Sequence, residues 1–366
     1  MHMRPQKYLN LLLPVFNTRR TREILSVNPV IPIEREEATE VNITVFEYNS
    51  MEIKEHRFKH VKDCLKFAHN DDFVHWINID GLRKTDIETV CNRFGIHHLV
   101  IEDILSVGQR PKMDEIEDFL YGLLNMLYFN STNNTVEQEQ ISIVLGKNFV
   151  LSFQEDAHRD VFNSLRDKLK LNNSRLRQRG TDYLCYSMLD MIVDHYFVVM
   201  EKLGERIEVL EEEVIRYSNN RSLARINQLR KELIVLKRNM APVRDLINGF
   251  IRSESDLLDD RTTKYFKDIY DHIVQANDLS ENYRDMMMNL QDLYLSNLNR
   301  KTNEVMKVMA IVTCLLAPAT VIGGIFGMNF DIIPTAHNQW GFYTAVGVML
   351  FIPLLMLFIF KRRGWF

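Results

Sequence analysis

The chain of 366 residues is short of positive charge: 45 Lys and Arg stand against 49 Asp and Glu, a formal net charge of −4. A surface that neutralises phosphates needs the opposite balance, so no nucleic-acid partner is expected. Cysteine is scarce. Cys64, Cys91, Cys185 and Cys314 follow no paired spacing, which predicts buried, reduced thiols suited to a reducing cytosol rather than a disulfide framework. There is no Walker-type loop, no His-Glu-x-x-His and no nucleophile elbow, so no enzyme is expected. His56 and His60 stand four apart in a strand-loop context, and His97 and His98 are adjacent and would point apart on a helix. Neither pair reads as a metal site. Residues 1–30 hold four arginines and no compact apolar core with a small-residue cleavage site, which argues against a cleavable signal peptide.

Two further absences carry more weight. Charge is missing from residues 308–328 and again from 341–360. Each run has about the twenty residues a helix needs to cross a bilayer core. Arg300, Lys301 and Lys307 precede the first run, and Lys361, Arg362 and Arg363 follow the second, whereas Asn329–Trp340 between them has no Lys or Arg. Positive charge stays on the cytoplasmic side, so both ends are expected in the cytoplasm and the loop outside. Tyr343 and Trp365 stand near the two interfaces. Glycine and proline are missing between Asp260 and Pro318. One helix from there to Met328 would be on the order of 100 Å long at ~1.5 Å per residue, a length suited to a stalk entering a membrane.

Upstream the texture is mixed. Residues 1–40, with Arg19-Arg20 and a Glu-Arg-Glu-Glu cluster, read as poorly ordered. Ile43–Glu47, Phe73–Ile79 and the apolar Phe119–Phe129 read as strands. Gln140–Leu145 and Phe149–Phe153 flank Gly146-Lys147-Asn148, a hairpin signal. Thr85–Phe94 and Leu99–Val107 read as helices on this sheet. Tyr183–Tyr217 and Leu223–Met240 repeat apolar residues at helical spacing, with Pro242 just beyond.

The long helix carries two stripes. Asn303, Met306, Ala310, Thr313, Ala317, Thr320, Gly324 and Gly327 share one face at three- and four-residue spacing. Small residues let transmembrane helices pack closely, and Gly323 and Gly327 have that spacing. A pore wall is the other reading, with Thr and Asn oxygens facing a hydrated solute and Met306 as a narrowing; two spans per chain enclose no pore, so it requires an oligomer. Asp271, Asp278, Asp285 and Asp292 recur every seven residues, with Asp268 one turn ahead. The stripe is either a solvated face or, repeated in an oligomer, a set of carboxylate rings that concentrates cations.

Gly327-Met328-Asn329 after a first span, a loop bearing Asp331, a second span and a basic tail resemble the CorA magnesium transporters. Trp76-Ile77-Asn78-Ile79, Val100-Ile101-Glu102-Asp103-Ile104-Leu105, Gln109-Arg110-Pro111-Lys112, Tyr265–His272 and Lys301–Val308 agree. The likeness runs from about residue 41 to the end. It implies an α+β fold: a cytoplasmic αβα domain with a helical hairpin (41–260), a stalk helix (261–307), a pore-lining span (308–328), an external loop (329–340), a second span (341–360) and a basic tail (361–366), assembled as a funnel-shaped homopentamer in the cell (inner) membrane. It further implies that Gly327, Met328 and Asn329 form the external filter, Gly327 allowing a tight exit from the helix and Asn329 holding the water shell of Mg²⁺, an ion that dehydrates reluctantly. Asp331 would draw cations to the mouth. Asn303, Met306 and Thr320 match pore positions; Met309 and Ala317 stand where relatives often carry Leu and Met. By the same resemblance Asp103 and Asp268 form a regulatory Mg²⁺ site between subunits, with Glu102 and Asp190 at a weaker one. Mg²⁺ is then both cargo and regulator, with Co²⁺ and Ni²⁺ as further cargo. Zinc transport on the same architecture and a membrane-anchored sensing protein that does not conduct are the alternatives.

Overall fold

A computed structural model describes residues 37–65, 72–159, 161–328, 338 and 340–364. The rest, including most of 1–40, Asn329, Asp331 and Trp365, lies outside the described residues. The chain divides into two compact units, the first ending at Gln291 and the second beginning at Asp292.

The first unit is built on a seven-stranded sheet: β1 (Asn42–Tyr48), β2 (Ile53–Phe58), β3 (Val74–Asp80), β4 (Lys112–Ile116), β5 (Phe119–Asn130), β6 (Thr135–Leu145) and β7 (Phe149–Gln154), in the order β2-β1-β3-β7-β6-β5-β4. Only β3 and β7 run parallel, with Asn78 opposite Ser152; all other neighbours are antiparallel. The central strands are buried on both faces, as a sheet covered by helices on both sides requires. On one side α1 (Val61–Cys64), α2 (Lys84–Arg93) and α3 (His98–Leu105) close over Ile43, Val45, Ile77, Ile79, Leu151 and Phe153 with Ile87, Val90, Val100 and Ile104. The other side carries α4 (Asn163–Lys170), α5 (Arg175–Gln178), α6 (Thr181–Arg216) and α7 (Asn220–Arg252). There the Tyr196 hydroxyl donates to the Asn125 carbonyl at 2.5 Å. Phe250 packs over Gly122 of β5 and stacks on Phe266 with ring centroids 5.1 Å apart.

A buried polar chain pins the parallel pair. Trp76 Nε1 donates to Ser152 Oγ (2.9 Å), Ser152 Oγ to Asn78 Oδ1 (2.6 Å) and Asn78 Nδ2 to Asp80 Oδ1 (2.8 Å). A slip of one residue would strand these groups unpaired in the core, so the network favours one register.

The strand and helix readings hold for β1, β3, β5, the β6–β7 hairpin, α2, α3 and α6. One boundary is corrected: α7 runs through Pro242 to Arg252 instead of stopping at Met240. A mid-helix proline costs roughly 3 kcal/mol. Leu236, Met240, Val243, Leu246, Ile247 and Phe250 continue one buried face across it, and that burial outweighs the break. The thiol reading holds for Cys64, Cys91 and Cys185, which are buried; Cys314 lies in the first apolar run and is exposed in the single chain. Burial pushes the Cys64 thiol up to about 11 and Cys91 up to about 12, so both stay protonated and unreactive at neutral pH.

Glu139 on β6 is a buried carboxyl that accepts from the Asp156 amide and the Tyr128 hydroxyl, each at 3.0 Å. Burial outweighs these bonds, and the Glu155 and Asp156 charges add to it, pushing its pKa up to about 7. The native state thus prefers the protonated acid. Its stabilisation is complete below the ordinary value near 4.5 and is lost as pH rises through about 7. Glu139→Gln is therefore expected to gain on the wild type by up to about 3 kcal/mol between pH 5 and pH 8. Thermal midpoints of the two proteins across that range check this; a constant difference between them would show that Glu139 does not titrate there.

Candidate functional site

The four acids expected at the regulatory site fall into two groups. Glu102 and Asp103 lie in the last turn of α3. The helix begins at His97, which is extended and accepts from the Leu99 amide, so the two histidine rings lie 4.3 Å apart between centroids. The expectation that they point apart assumed both were helical. Glu102 is exposed. Asp103 Oδ2 accepts from Lys112 Nζ at 2.6 Å, and the same ammonium stands 3.1 Å from Asp114 Oδ2. Burial lowers the Lys112 pKa, but the bonds to Asp103 and Asp114 override it and the net shift is upward. Gln140 Nε2 donates to the carbonyls of Asp103 (3.1 Å) and Ile104 (3.3 Å), fixing the end of α3 to the sheet.

The second group gathers where α6 meets α8 (Asp260–Phe326). Asp190 and Asp194 are one turn apart on α6, and His272 reaches them from α8; their ligand atoms all lie within 4.8 Å of one another. His272 Nδ1 is 3.8 Å from Asp194 Oδ1. Burial raises the Asp190 pKa and the Asp194 charge adds to it, while His272 and a bond from the Tyr186 hydroxyl pull it down; Asp268 contributes a further upward push. So within one chain the structure places Asp190 with Asp194 and His272, and Asp103 with Lys112. Two carboxylates and an imidazole can hold a divalent ion, and the imidazole tilts the set toward Co²⁺, Ni²⁺ or Zn²⁺. Sequence reasoning missed Asp194 and His272. The four-residue spacing of Asp190 and Asp194 was the available signal, but only the fold brings α8 to that face.

Asp268, Asp271, Asp278 and Asp285 are exposed, opposite a buried face of Phe266, Ile269, Ile273, Ala276 and Ser280. Asp285 is paired with Arg284 at 2.9 Å, so the stripe is locally neutralised there. Where α6 and α8 cross, a Cβ on Gly204 would stand 2.5 Å from the Tyr283 hydroxyl.

In the second unit, α8 continues to Phe326 through Pro318, and α9 spans Gly341–Arg362. Both are long and apolar enough to cross a membrane. Asp292 is exposed, as are Asn303, Met306, Ala310, Thr313, Ala317, Thr320 and Gly324; so are Val312, Leu316 and Val321 on other faces, so exposure in the single chain does not single out the stripe. The Thr313 and Thr320 hydroxyls donate to the Met309 (2.8 Å) and Leu316 (3.0 Å) carbonyls. With its proton committed to the backbone, each hydroxyl offers only lone pairs outward. The Gly327 amide donates to Gly323 O at 2.9 Å, and a Cβ at Gly327 would meet that oxygen at 3.2 Å. Gly327 is not among the glycines with positive φ, so its exit from the helix does not use a left-handed backbone. Met328 is exposed.

A family model described as "CorA-like Mg2+ transporter protein" matches residues 71–362. The chain belongs to this family. The "Cobalt/magnesium transport protein CorA" of Thermotoga maritima is 39% identical over 324 residues, covering 88% of this chain and 92% of that protein. The CorA protein of the same description from Methanocaldococcus jannaschii is 26% identical over 291 residues, covering 79% and 90%. The complete structure of the CorA magnesium transporter from Methanocaldococcus jannaschii superposes with a TM-score of 0.74 at 23% identity, covering 88% of this chain and 98% of that one. The ZntB cytoplasmic domain from Vibrio parahaemolyticus gives 0.56 at 15%, covering 72% and 100%. The last two show the fold alone: the complete CorA structure an αβ domain with its sheet, a long helix and two apolar helices, and the ZntB match the cytoplasmic domain only.

Proposed function

We propose that this chain is a divalent cation channel that admits Mg²⁺ and Co²⁺, and Ni²⁺ with them. The observation that carries this is the placement of Gly327-Met328-Asn329 between two apolar helices of membrane length, in a chain 39% identical to a cobalt/magnesium transport protein over most of both lengths. In this reading 41–260 is the cytoplasmic domain, 261–307 the stalk, 308–328 the pore-lining span, 329–340 the external loop and 341–360 the outer span. Five copies enclose the pore in a cell (inner) membrane, with both termini cytoplasmic.

Asp331 and the filter collect the hydrated ion. Asn329 holds its water shell, and the lone pairs of Thr313 and Thr320 pass it down the stripe. The rings of Asp271, Asp278 and Asp292, with Asp285 offset by Arg284, raise local cation concentration at the inner mouth. An inside-negative potential contributes ~4.6 kcal/mol per 100 mV for a divalent ion, twice the single-charge value. Mg²⁺ between Asp103 of one subunit and Asp268 of the next, with Glu102 and Asp190 nearby, holds the ring closed. When the sites empty, the crowded carboxylates repel and the open state gains population.

Flux into proteoliposomes at an imposed inside-negative potential tests this, with internal Mg²⁺ varied and Zn²⁺ run in parallel. Mg²⁺ uptake that falls as internal Mg²⁺ rises is expected. Zn²⁺ flux without Mg²⁺ flux would move the chain to zinc transport, and no flux of either ion from intact oligomer would leave a sensing protein.

A further inference from the structure

Lys112 closes the Gln109-Arg110-Pro111-Lys112 stretch and has no part in the scheme above. Its ammonium lies between two carboxylates, 2.6 Å from Asp103 and 3.1 Å from Asp114. We propose that Lys112 is a tethered cation that competes with the divalent ion for Asp103 and so sets the concentration at which the regulatory site fills. The proposal rests on the reading of Asp103 as a regulatory ligand.

The two partners differ in freedom. Asp103 is fixed: its side chain is 18% exposed, and Gln140 holds the backbone at Asp103 and Ile104. Lys112 begins β4, an edge strand paired only with β5, and its side chain is 37% exposed. A four-carbon stem with water beside it can swing its ammonium away while the carboxylate stays in place. When a divalent ion arrives, it must displace Lys112 from Asp103; when it leaves, Lys112 returns and prevents Asp103 and Asp114 from facing each other bare. A compact ammonium suits this exchange, because it is a point charge without the bidentate grip of a guanidinium.

The size of the effect follows from the pair it opposes. A partly exposed ion pair of this kind shifts an equilibrium by up to about fivefold. The charge count agrees in sign: Asp103, Lys112 and Asp114 together carry one net negative charge, and removing the ammonium leaves two.

The test uses full-length protein in detergent, titrated with Mg²⁺ and read by protease protection and by the thermal midpoint. Lys112→Met is expected to lower the half-saturating Mg²⁺ concentration by about three- to fivefold. Lys112→Arg, which keeps the charge, is expected to stay within about twofold of the wild type or to raise it. Asp103→Asn is expected to raise it. If Asp103→Asn raises the midpoint and Lys112→Met leaves it unchanged or raises it, the competition is wrong and the ligand reading stands. If Asp103→Asn has no effect, both fall. Melting in the absence of Mg²⁺ reports whether each variant folds, and Lys112→Gln replaces Lys112→Met if the latter does not.

Discussion

Asn329→Ala is expected to reduce Mg²⁺ uptake into proteoliposomes to background while the oligomer keeps its size. Mg²⁺ holds its first water shell tightly, so a filter that stripped the ion would have to replace six strong bonds at once. A ring of amide oxygens that accepts hydrogen bonds from the bound waters avoids that cost. Alanine removes one acceptor from each subunit, and in a homopentamer all five disappear together. At about 1 kcal/mol for each lost bond, the ring loses about 5 kcal/mol, more than a thousandfold in occupancy of the entry site. The mutation lies between the spans and removes no apolar surface from either helix, so assembly should not suffer. Asn329→Gln keeps the amide but moves it by one methylene, and separates the chemistry of the group from its position. Normal uptake by Asn329→Ala would reject the filter assignment.

The long helix was legible because an absence is easy to read: without glycine or proline from Asp260 to Pro318, nothing interrupts it. The spans were legible through missing charge. Strands β1, β3 and β5 showed through dense β-branched and aromatic runs, since central strands bury both faces. Edge strands do not, and that is why β4 (Lys-Met-Asp-Glu-Ile) escaped notice and β2 (Ile-Lys-Glu-His-Arg-Phe) read as strand-loop; charge on an edge discourages pairing with other chains and erases the alternation that marks a strand. Pro242 misled for a different reason, because the local penalty is visible in sequence and the packing that outweighs it is not. The Gly-Met-Asn triplet was legible as a motif. The geometry of the candidate metal cluster was only half so. Asp190 came from family likeness, whereas Asp194 and His272 needed two helices to be brought face to face, and the bond from Lys112 to Asp103 needed the edge strand to lie beside the end of α3.

Asp268→Lys is expected to raise the internal Mg²⁺ concentration needed for half-inhibition by at least about tenfold, with uptake at low internal Mg²⁺ retained. Two effects act in the same direction. The substitution removes a carboxylate from the proposed site between subunits. It also replaces with a positive charge the Asp268 charge that helps to raise the Asp190 pKa. A fixed cation there lowers the negative charge that attracts a divalent ion, so Mg²⁺ binds more weakly and closes the ring only at a higher internal concentration. The fold should tolerate the change. Asp268 is exposed on α8, and the neighbouring Phe266, Ile269 and Ile273, which hold that helix in the first unit, are untouched; surface substitutions of this sort usually stay within about 0.5 kcal/mol. Asp268→Asn resolves the two contributions, because it removes the ligand charge without supplying a cation. If Asn alone shifts half-inhibition as far as Lys does, loss of the ligand accounts for the effect; a larger shift with Lys assigns the remainder to charge at the Asp190–Asp194–His272 cluster. Inhibition unchanged by either substitution would mean that Asp268 takes no part in closing the pore.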